Sequence, residues 1–472
     1  MTMPTPFPGT GEPNRRDLLR AAGQGCCLWP LAVRGPRGDG ALVCHHAPRA
    51  KAVVFLYMDG GPSSQDLFDY KPRLVAEDGR PFPLPMAPTQ FGDNGNTLGP
   101  RARFAQHGDS GQWISDLLPQ LAQQADRLTV VRSMVANFSE HTNATYFLHT
   151  GHGLQGRPSA GAWIGHGLGA DTSSLPAFVV LNGGLIPPGG VDCFHSGFLP
   201  PQCQGSLFAL RGDAVPHLTP REPTPARQRR KQALVQQLDR SGLTHDGSDP
   251  ALVAAMKNHE LAFAMQAAVP ELMALEDESP RLRRLYGCDD EYGPTRTFAQ
   301  QCLLARRLVE RGVRFVELTC PDTGHDRWDQ HNNLAAGLRD NCRMVDRPIA
   351  ALLQDLAARG LLDETIVLWG GEFGRTPFAQ GQSGRDHNPF GFTMWLAGGG
   401  FRPGTSHGAT DDYGYRAVQD PVSIHDLHAT LLWQLGIDHE RFTYRFGGRD
   451  MRLTDVHGRV MREWLKAEIR SR

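Results

Sequence analysis

The stretch Val313-Arg-Phe-Val-Glu-Leu318 decides the fold, because it has the length and the mainly apolar composition of a strand and lies between a helical pattern and a polar motif. A helical pattern over 298–311 precedes it, Gly312 ends that pattern, and the run leads into a motif around His325. The same order recurs as a helix over 344–359, Gly360, and the strand Thr365-Ile-Val-Leu-Trp369. Short apolar strands that alternate with helices predict a parallel sheet covered on both faces.

Further elements extend this pattern in both directions. Four more apolar runs predict strands: Ala52-Val-Val-Phe-Leu-Tyr-Met58, Leu128-Thr-Val-Val-Arg-Ser133, Phe178-Val-Val-Leu181 and Phe392-Thr-Met-Trp-Leu-Ala397. Additional helices are predicted at 114–125, 143–148 and 424–435, and a long surface loop at 70–112. We predict an α/β fold, a mostly parallel doubly wound sheet sandwiched by helices, in one domain over 51–472. A helical insertion is expected at about 215–290.

The first 50 residues have the character of a leader. Twin arginines lie in Asn14-Arg-Arg-Asp-Leu-Leu-Arg20, ahead of an apolar segment of small residues over 21–33. This pattern predicts a twin-arginine signal, the export machinery that reads it as a partner, and a periplasmic or extracellular protein. The alternative is a cytoplasmic protein with a disordered basic leader. No later stretch reaches the ~18 apolar residues of a membrane span, so no integral span is expected.

Composition excludes several partners and sites. The formal net charge is −1, and no block of like charges is longer than Arg229-Arg-Lys231, which argues against nucleic acid and anionic membranes as partners. The nine cysteines show no C-x-x-C pair and no zinc-finger spacing. Cys193 and Cys203 flank a Gly/Pro-rich loop and could form a disulfide in an oxidising compartment.

Three polar motifs follow strand-like runs in the C-terminal third. They are Thr323-Gly-His-Asp-Arg-Trp-Asp-Gln-His331, Gly370-Gly-Glu-Phe-Gly-Arg-Thr-Pro377 and Gly384-Arg-Asp-His-Asn-Pro389. Imidazole and carboxylate groups at strand ends suit a hard or borderline metal ion. The alternatives are a solvated His325 loop, an ion pair between Glu372 and Arg375, and a capping or Arg-pairing loop around His387.

The turn after the first strand adds weaker candidates. Asp59 and Asp66 could each bind a metal, but Asp beside Gly-Gly-Pro is also an ordinary turn former. Asp66 could equally favour the N-terminal dipole of the next helix. Ser63 and Ser64 are more typical of helix N-caps than of nucleophiles.

Together the motifs resemble a known family, domain of unknown function 1501, from about residue 14 to the C-terminus. The resemblance rests on the twin arginines and the following segments: Gly60-Gly-Pro-Ser63, Asp66-Leu-Phe-Asp-Tyr-Lys-Pro72, Leu148-His-Thr-Gly151, Ala305-Arg-Arg-Leu-Val-Glu-Arg-Gly-Val-Arg-Phe315, Trp328-Asp-Gln-His331, Gly371-Glu-Phe-Gly-Arg-Thr-Pro377, Gly384-Arg-Asp-His387 and Asp426-Leu-His-Ala-Thr430. It implies a fold like that of alkaline phosphatases and sulfatases, with metal ligands on loops at the carboxyl edge of the sheet.

The resemblance also implies roles for single residues. The implied metal ligands are Asp59, with Asp66 as its rival, Asp329, His331, Glu372 and His387. His141 stands at the position of the nucleophile, where it could be a nucleophile, a general acid or base, or one more metal ligand. Ser139 and Thr142 remain alternatives. No cysteine has the sulfatase context, so formylglycine chemistry is not expected.

These roles imply metal-dependent hydrolysis of a phosphate or sulfate ester. The cofactor would be a divalent ion (Zn, Mn, Ca or Mg), and the substrate an anionic small molecule or sugar ester. Arg375 or Arg385 would neutralise the charge of the anion. The alternative is a non-catalytic exported protein of the same fold that binds an anion or a carbohydrate.

Overall fold

A nine-stranded sheet forms the centre of the protein in its computed structural model, which describes residues 44–89, 91–184, 186–246 and 250–467. The residues in these ranges belong to one compact unit. The strands of the described residues are β1 Ala52–Tyr57, β2 Asn94–Thr97, β3 Phe104–His107, β4 Gln112–Ser115, β5 Leu128–Val135, β6 Phe178–Asn182, β7 Ser206–Ala209, β8 Phe315–Thr319, β9 Thr365–Gly370, β10 Gly374–Gln380, β11 Gly384–Asn388, β12 Phe392–Gly398, β13 Thr405–His407, β14 Ala409–Thr410, β15 Ala417–Gln419, β16 Val422–Ser423, β17 Tyr444–Phe446 and β18 Arg449–Met451.

The central sheet is almost entirely parallel. Its order is β13-β5-β12-β9-β1-β8-β6-β7, and β16 also pairs with β5. All pairs from β9 to β7 are parallel, whereas β12 runs antiparallel to both β9 and β5. β13 and β16 run parallel to β5. The predicted mostly parallel sheet is therefore confirmed.

Helices cover both faces of this sheet. They are α1 Ser64–Leu67, α2 Pro72–Ala76, α3 Pro119–Ala122, α4 His141–Thr150, α5 Ala160–Leu168, α6 Pro225–Asp246, α7 Pro250–Met273, α8 Pro280–Tyr286, α9 Gly293–Glu310, α10 Leu334–Ala358 and α11 Ile424–Gln434. Side chains of β1 alternate between two buried clusters: Leu56 packs with α9 and α10, and Phe55 packs with α4, α5 and α11. The sheet is thus sandwiched by helices, as the α/β fold class predicts.

Three local predictions were wrong. Residues 114–125 do not form one helix, because Gln112–Ser115 pair with β3 and Pro119 starts a separate short helix. The region 70–112 is not one loop but contains α2, β2 and β3. Residues 384–388 form strand β11, paired with β10, rather than a loop. Two of these strand pairs, β3 with β4 and β10 with β11, are short antiparallel hairpins, and β2 pairs with β10, which is distant in sequence. Their polar residues lack the alternation of apolar and polar residues by which a strand is predicted.

The remaining predictions concern a disulfide, membrane-spanning helices and the export signal. Cys193 and Cys203 are buried free thiols, so the suggested disulfide is not formed. No helix within the described ranges is both long and apolar enough to cross a bilayer. The predicted twin-arginine signal over 14–33 lies outside the described residues.

The topology brings the polar motifs to one edge of the sheet. Strand β1 lies between β8 and β9, and all three end at the same edge. Asp59 follows β1, the His325 motif follows β8, and Glu372 follows β9. Strand β12 runs in the opposite direction, so the segment before it, which contains β11, reaches the same edge. An open α/β sheet binds its ligands at this edge.

Candidate metal centre

Four side chains converge at the carboxyl edge and define the candidate metal centre: His141, Asp329, His331 and His387. Each offers one ligand atom, and these atoms all lie within 4.8 Å of one another. Asp329 stands in the middle, with its Oδ1 2.8 Å from His331 Nε2 and 3.3 Å from His387 Nε2, and its Oδ2 3.0 Å from His141 Nε2. The imidazoles of His331 and His387 are also in contact, with their Nε2 atoms 2.9 Å apart.

The outer partners of two imidazoles fix which nitrogen carries the proton. His387 Nδ1 lies 2.6 Å from the carbonyl oxygen of Ser139, and His141 Nδ1 lies 2.7 Å from Glu372 Oε1. Both partners can only accept a hydrogen bond, so each Nδ1 must donate. In the neutral rings Nε2 then carries a lone pair that points at Asp329. His331 Nδ1 meets the side-chain oxygen of Gln380 in the same manner.

This arrangement fits a divalent cation. The Nε2 lone pairs of His331 and His387 and the carboxylate of Asp329 are all acceptors, so only protons or a cation between them make the geometry favourable. His141 Nε2 is buried beside them, 3.0 Å from Asp329 Oδ2. Two imidazole nitrogens with one carboxylate oxygen form a donor set that suits zinc, and first-row divalent metals in general.

The local electrostatics keep Asp329 ionised and His387 neutral, the forms that bind a metal ion. Burial raises the pKa of Asp329, but the Arg375 guanidinium and the hydrogen bond with His141 outweigh it and hold that pKa far below its usual value. Burial, together with the nearby Arg375, lowers the pKa of His387 to about 4 despite its bond to Asp329. Burial also lowers the pKa of His141, yet its bonds to Asp329 and Glu372 raise it to about 9. The imidazolium of His141 thus lies between two carboxylates, with Nε2 toward Asp329 and Nδ1 toward Glu372.

Glu372 lies behind His141 and outside the group of four. Its side chain is fully buried and accepts hydrogen bonds from Gly60 N at 2.9 Å and from the Tyr57 hydroxyl at 3.1 Å, besides holding His141. Burial raises its pKa, but the His141 bond outweighs this and lowers it. A carboxylate in this position fixes the orientation and tautomer of the histidine. The sequence had suggested Glu372 as a direct ligand.

Asp59 and Asp66 also lie outside the group of four. Asp59 is buried at the end of β1, where Arg327 Nη1 approaches its Oδ2 to 2.5 Å. Burial raises the pKa of Asp59 to about 7, although Arg327 opposes this. Asp66 instead pairs with Arg385 and accepts a hydrogen bond from the hydroxyl of Ser63.

The two arginines predicted to neutralise an anion serve as buried cross-links. Arg375 pairs with Asp329 and donates to the carbonyl oxygens of Gly60, Gly61 and Arg385. Arg385 pairs with Asp66 at 2.9 Å and donates to the carbonyl oxygens of Thr376 and Gly99. Both side chains are at most 1% exposed, and neither lines the open space beside the metal centre.

A cleft of about 350 Å³ opens beside the metal centre. His141, Asp329, His325 and Arg327 are among its lining residues. Arg327 is the guanidinium that faces this space, and its backbone has a positive φ of 47°, a strained conformation for a non-glycine residue. Sequence reasoning passed over Arg327 although it lies inside the His325 motif. It also missed Tyr57, which an apolar strand pattern conceals.

The other residues that the sequence suggested for the site lie outside the group of four. His325 Nε2 pairs with Asp340 at 2.8 Å, and Asp326 is exposed at the cleft. Ser139 contributes its carbonyl oxygen to His387. The backbone N–H of Thr142 donates to the side chain of Glu140.

Comparisons with known proteins give a family and a set of structural likenesses. The model of the family described as "Protein of unknown function (DUF1501)" matches residues 50–465. A search of curated proteins gave no match. Among solved structures, a sulfatase, PsFucS1 from Pseudoalteromonas sp., is 12% identical, with 83% of this chain and 69% of that chain covered and a TM-score of 0.35.

Two further solved structures show the same degree of likeness. A protein in the alkaline phosphatase superfamily from Vibrio parahaemolyticus is 10% identical, with 84% of this chain and 68% of that chain covered and a TM-score of 0.35. The C-terminal periplasmic domain of EcEptC from Escherichia coli, in complex with Zn, is 9% identical, with 85% and 86% covered and a TM-score of 0.37. These superpositions are loose, so the function of this chain rests on its own residues.

Proposed function

We propose, from the premise that this chain belongs to the DUF1501 family, that it is a metal-dependent hydrolase of phosphate or sulfate esters. One observation carries the proposal: the Nε2 atoms of His331 and His387 converge on the Asp329 carboxylate, so that acceptors face acceptors, with the ring of His141 beside them. Such a group needs a cation to be favourable, and it lies beside an open cleft.

Asp329, His331 and His387 would hold the cation, with Ser139, Gln380 and Arg375 fixing the orientation of these ligands. A divalent ion bound there supplies Lewis acidity to an ester oxygen. The identity of the ion, among Zn, Mn, Ca and Mg, follows from metal content, because imidazole and carboxylate ligands admit several of them.

His141 would act as the general acid. Its ring lies between two carboxylates, Asp329 and Glu372, which stabilise the imidazolium form, and its side chain is part of the lining of the cleft. Because Glu372 holds the Nδ1 proton, the Nε2 proton is the one available to the leaving oxygen of an ester. A ring held as imidazolium is a proton donor and not a nucleophile.

Arg327 would bind the anionic group of the substrate. Its guanidinium lines the cleft together with His141, and its side chain is 23% exposed, whereas Arg375 and Arg385 are buried and fully engaged. Its Nη1 pairs with Asp59 and its Nη2 donates to the carbonyl oxygen of Ile186, which leaves one N–H on each of these nitrogens for an oxygen of phosphate or sulfate. Arg327→Lys should therefore raise KM for an anionic ester more than it lowers kcat.

Metal analysis tests the proposal most directly. Protein purified without chelator should contain near-stoichiometric divalent metal, and His331→Ala should lose it. His325→Ala is the matched control, because His325 lies in the same loop but pairs with Asp340 outside the centre. A metal-free wild-type protein whose thermal stability does not respond to added metal or chelator would refute the proposal.

A second experiment tests the chemistry. Aryl phosphates and sulfates should be hydrolysed by the wild type, and His141→Ala should be slower by about 10²-fold or more, the usual contribution of a general acid. Near-stoichiometric metal without turnover of any ester would instead support an exported binding protein for an anion or a carbohydrate.

Export is part of the proposal and has its own test. Arg15 and Arg16 precede the apolar segment over 21–33, in the order of a twin-arginine signal. Replacing both by Lys should retain the protein in the cytoplasm, as judged by cell fractionation. Equal export of the wild type and the double variant would contradict this route.

A further inference from the structure

A second cavity lies away from the metal centre, at the side of helix α10. It measures about 450 Å³, and four arginines line it: Arg281, Arg284, Arg347 and Arg359. Arg347 is the fourteenth residue of α10, roughly 20 Å along its axis from Leu334 at 1.5 Å per residue, and Arg359 caps its far end. Leu334 follows His331 closely in the chain, so this arginine cavity is separate from the site proposed for hydrolysis.

Two of the four guanidinium groups are held in place from outside the cavity. Arg359 pairs with Asp355 at 2.8 Å and with Glu310 at 2.9 Å, and Arg347 pairs with Asp290 at 3.4 Å. None of these three carboxylates lines the cavity. The ion pairs therefore orient the arginines without placing negative charge inside the space that a ligand would occupy.

The other two guanidinium groups are available to a ligand. Arg281 and Arg284 lie three residues apart in α8, on one face of that helix, and both are exposed. Neither forms an ion pair within the part of the chain that the structure describes. No acidic residue is found among the described residues that line the cavity. The cavity thus has uncompensated positive charge.

The rest of the lining adds an apolar surface. Leu282 and Leu285 come from the same helix, and Leu285 is 37% exposed. Gln354 adds an amide group. Guanidinium groups recognise sulfate and phosphate oxygens through paired hydrogen bonds, and the leucines offer contact to the apolar face of a sugar ring. The volume falls in the range of small-molecule sites.

We propose that the arginine cavity binds a saccharide that carries at least two sulfate or phosphate groups. Nucleic acid fits less well, because the chain has a net charge of −1 and the arginines surround one cavity rather than form a stripe along a surface. The proposal does not depend on hydrolysis at the metal centre. It gives the protein a separate means of holding an anionic glycan.

Calorimetric titration with three probes tests this inference: a sulfated heparin-derived disaccharide, the unsulfated disaccharide, and tripolyphosphate. The sulfated disaccharide should bind saturably and more weakly as salt rises, and the unsulfated one should not bind. The double variant Arg281→Ala/Arg284→Ala should bind it about tenfold more weakly or worse, since each lost charge-assisted hydrogen bond has a substantial cost. The affinity of the double variant Arg281→Lys/Arg284→Lys should lie between those of the wild type and the double alanine variant, because the charge remains but the planar guanidinium group is lost.

Matched variants separate the cavity from general charge effects. Arg229→Ala/Arg230→Ala removes the same charge from exposed positions of α6 outside the cavity and should bind as the wild type does. His331→Ala should also bind normally, which separates this site from the metal centre. The inference is wrong if the wild type shows no saturable binding, if both double alanine variants lose affinity equally, or if tripolyphosphate binds as tightly as the sulfated disaccharide.

Discussion

Tyr57 illustrates how a single hydroxyl supports the candidate site from behind. Its side chain is fully buried at the end of β1, and its hydroxyl lies 3.1 Å from both Glu372 Oε2 and Thr145 Oγ1. Burial, together with the nearby Glu372 and Asp59, raises its pKa, so the hydroxyl keeps its proton and donates to Glu372. Because Glu372 in turn holds His141, Tyr57 is a positioning residue that acts through Glu372.

Replacing Tyr57 by Phe should therefore slow hydrolysis without emptying the metal centre. We expect kcat to fall about tenfold, the equivalent of one hydrogen bond of about 1.4 kcal/mol, with metal content unchanged. Tyr286→Phe is the control, since its buried hydroxyl donates to Asp355, far from the site. It should lower the free energy of unfolding by about 1 kcal/mol and leave kcat unchanged. Equal kcat values for Tyr57→Phe and wild type would contradict the positioning role.

Residue types alone allowed part of this site to be predicted. Asp329, His331 and His387 were candidates because imidazole and carboxylate after a strand are unusual, and the structure brings them together. The residues that hold these ligands from behind could not be predicted from the sequence. Tyr57 occupies a place in an apolar run where packing explains it equally well, and Gln380 contacts His331 only because a strand pairing brings it there.

At the scale of elements, the cap of α4 sets the position of His141. Glu140 precedes the helix and accepts hydrogen bonds from the N–H groups of Thr142 at 3.0 Å and Asn143 at 3.1 Å. These bonds satisfy donors that the first helical turn leaves free. His141 is the first helical residue, so its direction toward Asp329 depends on how the helix begins.

Glu140→Ala should disturb both stability and the site. We expect the free energy of unfolding to fall by about 1 kcal/mol, as for other lost N-caps, and kcat to fall because His141 is less fixed. Ser423→Ala removes the capping box of α11 and offers a comparison: a similar loss of stability with no change in kcat. A Glu140→Ala enzyme with wild-type kcat would show that the helix start does not control His141.

Strand β11 positions the metal-binding loop through one glycine. A Cβ atom built on Gly384 would overlap the backbone carbonyl of His331, so only glycine allows the strand and the loop to approach this closely. Gly384→Ala should displace His331 and release metal, measured as metal content after gel filtration. Gly242→Ala in α6 is the control, because a Cβ there meets no atom within 4 Å, and its metal content should be that of the wild type. Retention of metal by Gly384→Ala would refute this role of the contact.

The same strand shows why local patterns failed here. Gly384–Asn388 is fully buried yet carries Arg385, Asp386 and His387, a composition typical of a loop. Burial is tolerated because partners distant in sequence satisfy the charges, as Asp66 does for the guanidinium of Arg385 and the N–H of Phe91 does for the carboxylate of Asp386. A sequence does not reveal such partners, so a polar strand in a site is easily mistaken for a loop.

For the whole molecule, the sequence predicts those elements that recur as contiguous units along the chain. Each unit of helix, glycine and apolar strand is contiguous, which is why the strand positions and the sandwich followed from the sequence. The metal centre joins residues from 141 to 387, and their meeting depends on the strand order, with β1 between β8 and β9. No local pattern specifies that order.

Global stability at low pH should depend on a histidine outside the metal centre. His428 in α11 is 2% exposed, its Nε2 donates to the carbonyl oxygen of Leu148 at 2.8 Å, and its Nδ1 is a buried atom without a hydrogen-bond partner in the described residues. Burial, together with the nearby His425, lowers its pKa from 6.5 to about 3. The folded protein therefore keeps His428 neutral across the range where the unfolded chain binds a proton.

The sign of the pH effect follows from this difference. Above pH 6.5 His428 is neutral in both the folded and the unfolded protein. As pH falls from 6.5 toward 3, only the unfolded chain binds a proton at this residue, so the free energy of unfolding falls by about 1.4 kcal/mol per pH unit. Between pH 7 and pH 5 the wild type should thus lose about 2 kcal/mol more than His428→Gln, which keeps a donor for Leu148 but does not titrate. Urea unfolding at both pH values measures this. His259→Gln, at an exposed position of α7, should follow the wild type at both pH values. If His428→Gln loses as much stability on acidification as the wild type, the acid sensitivity of the fold originates elsewhere.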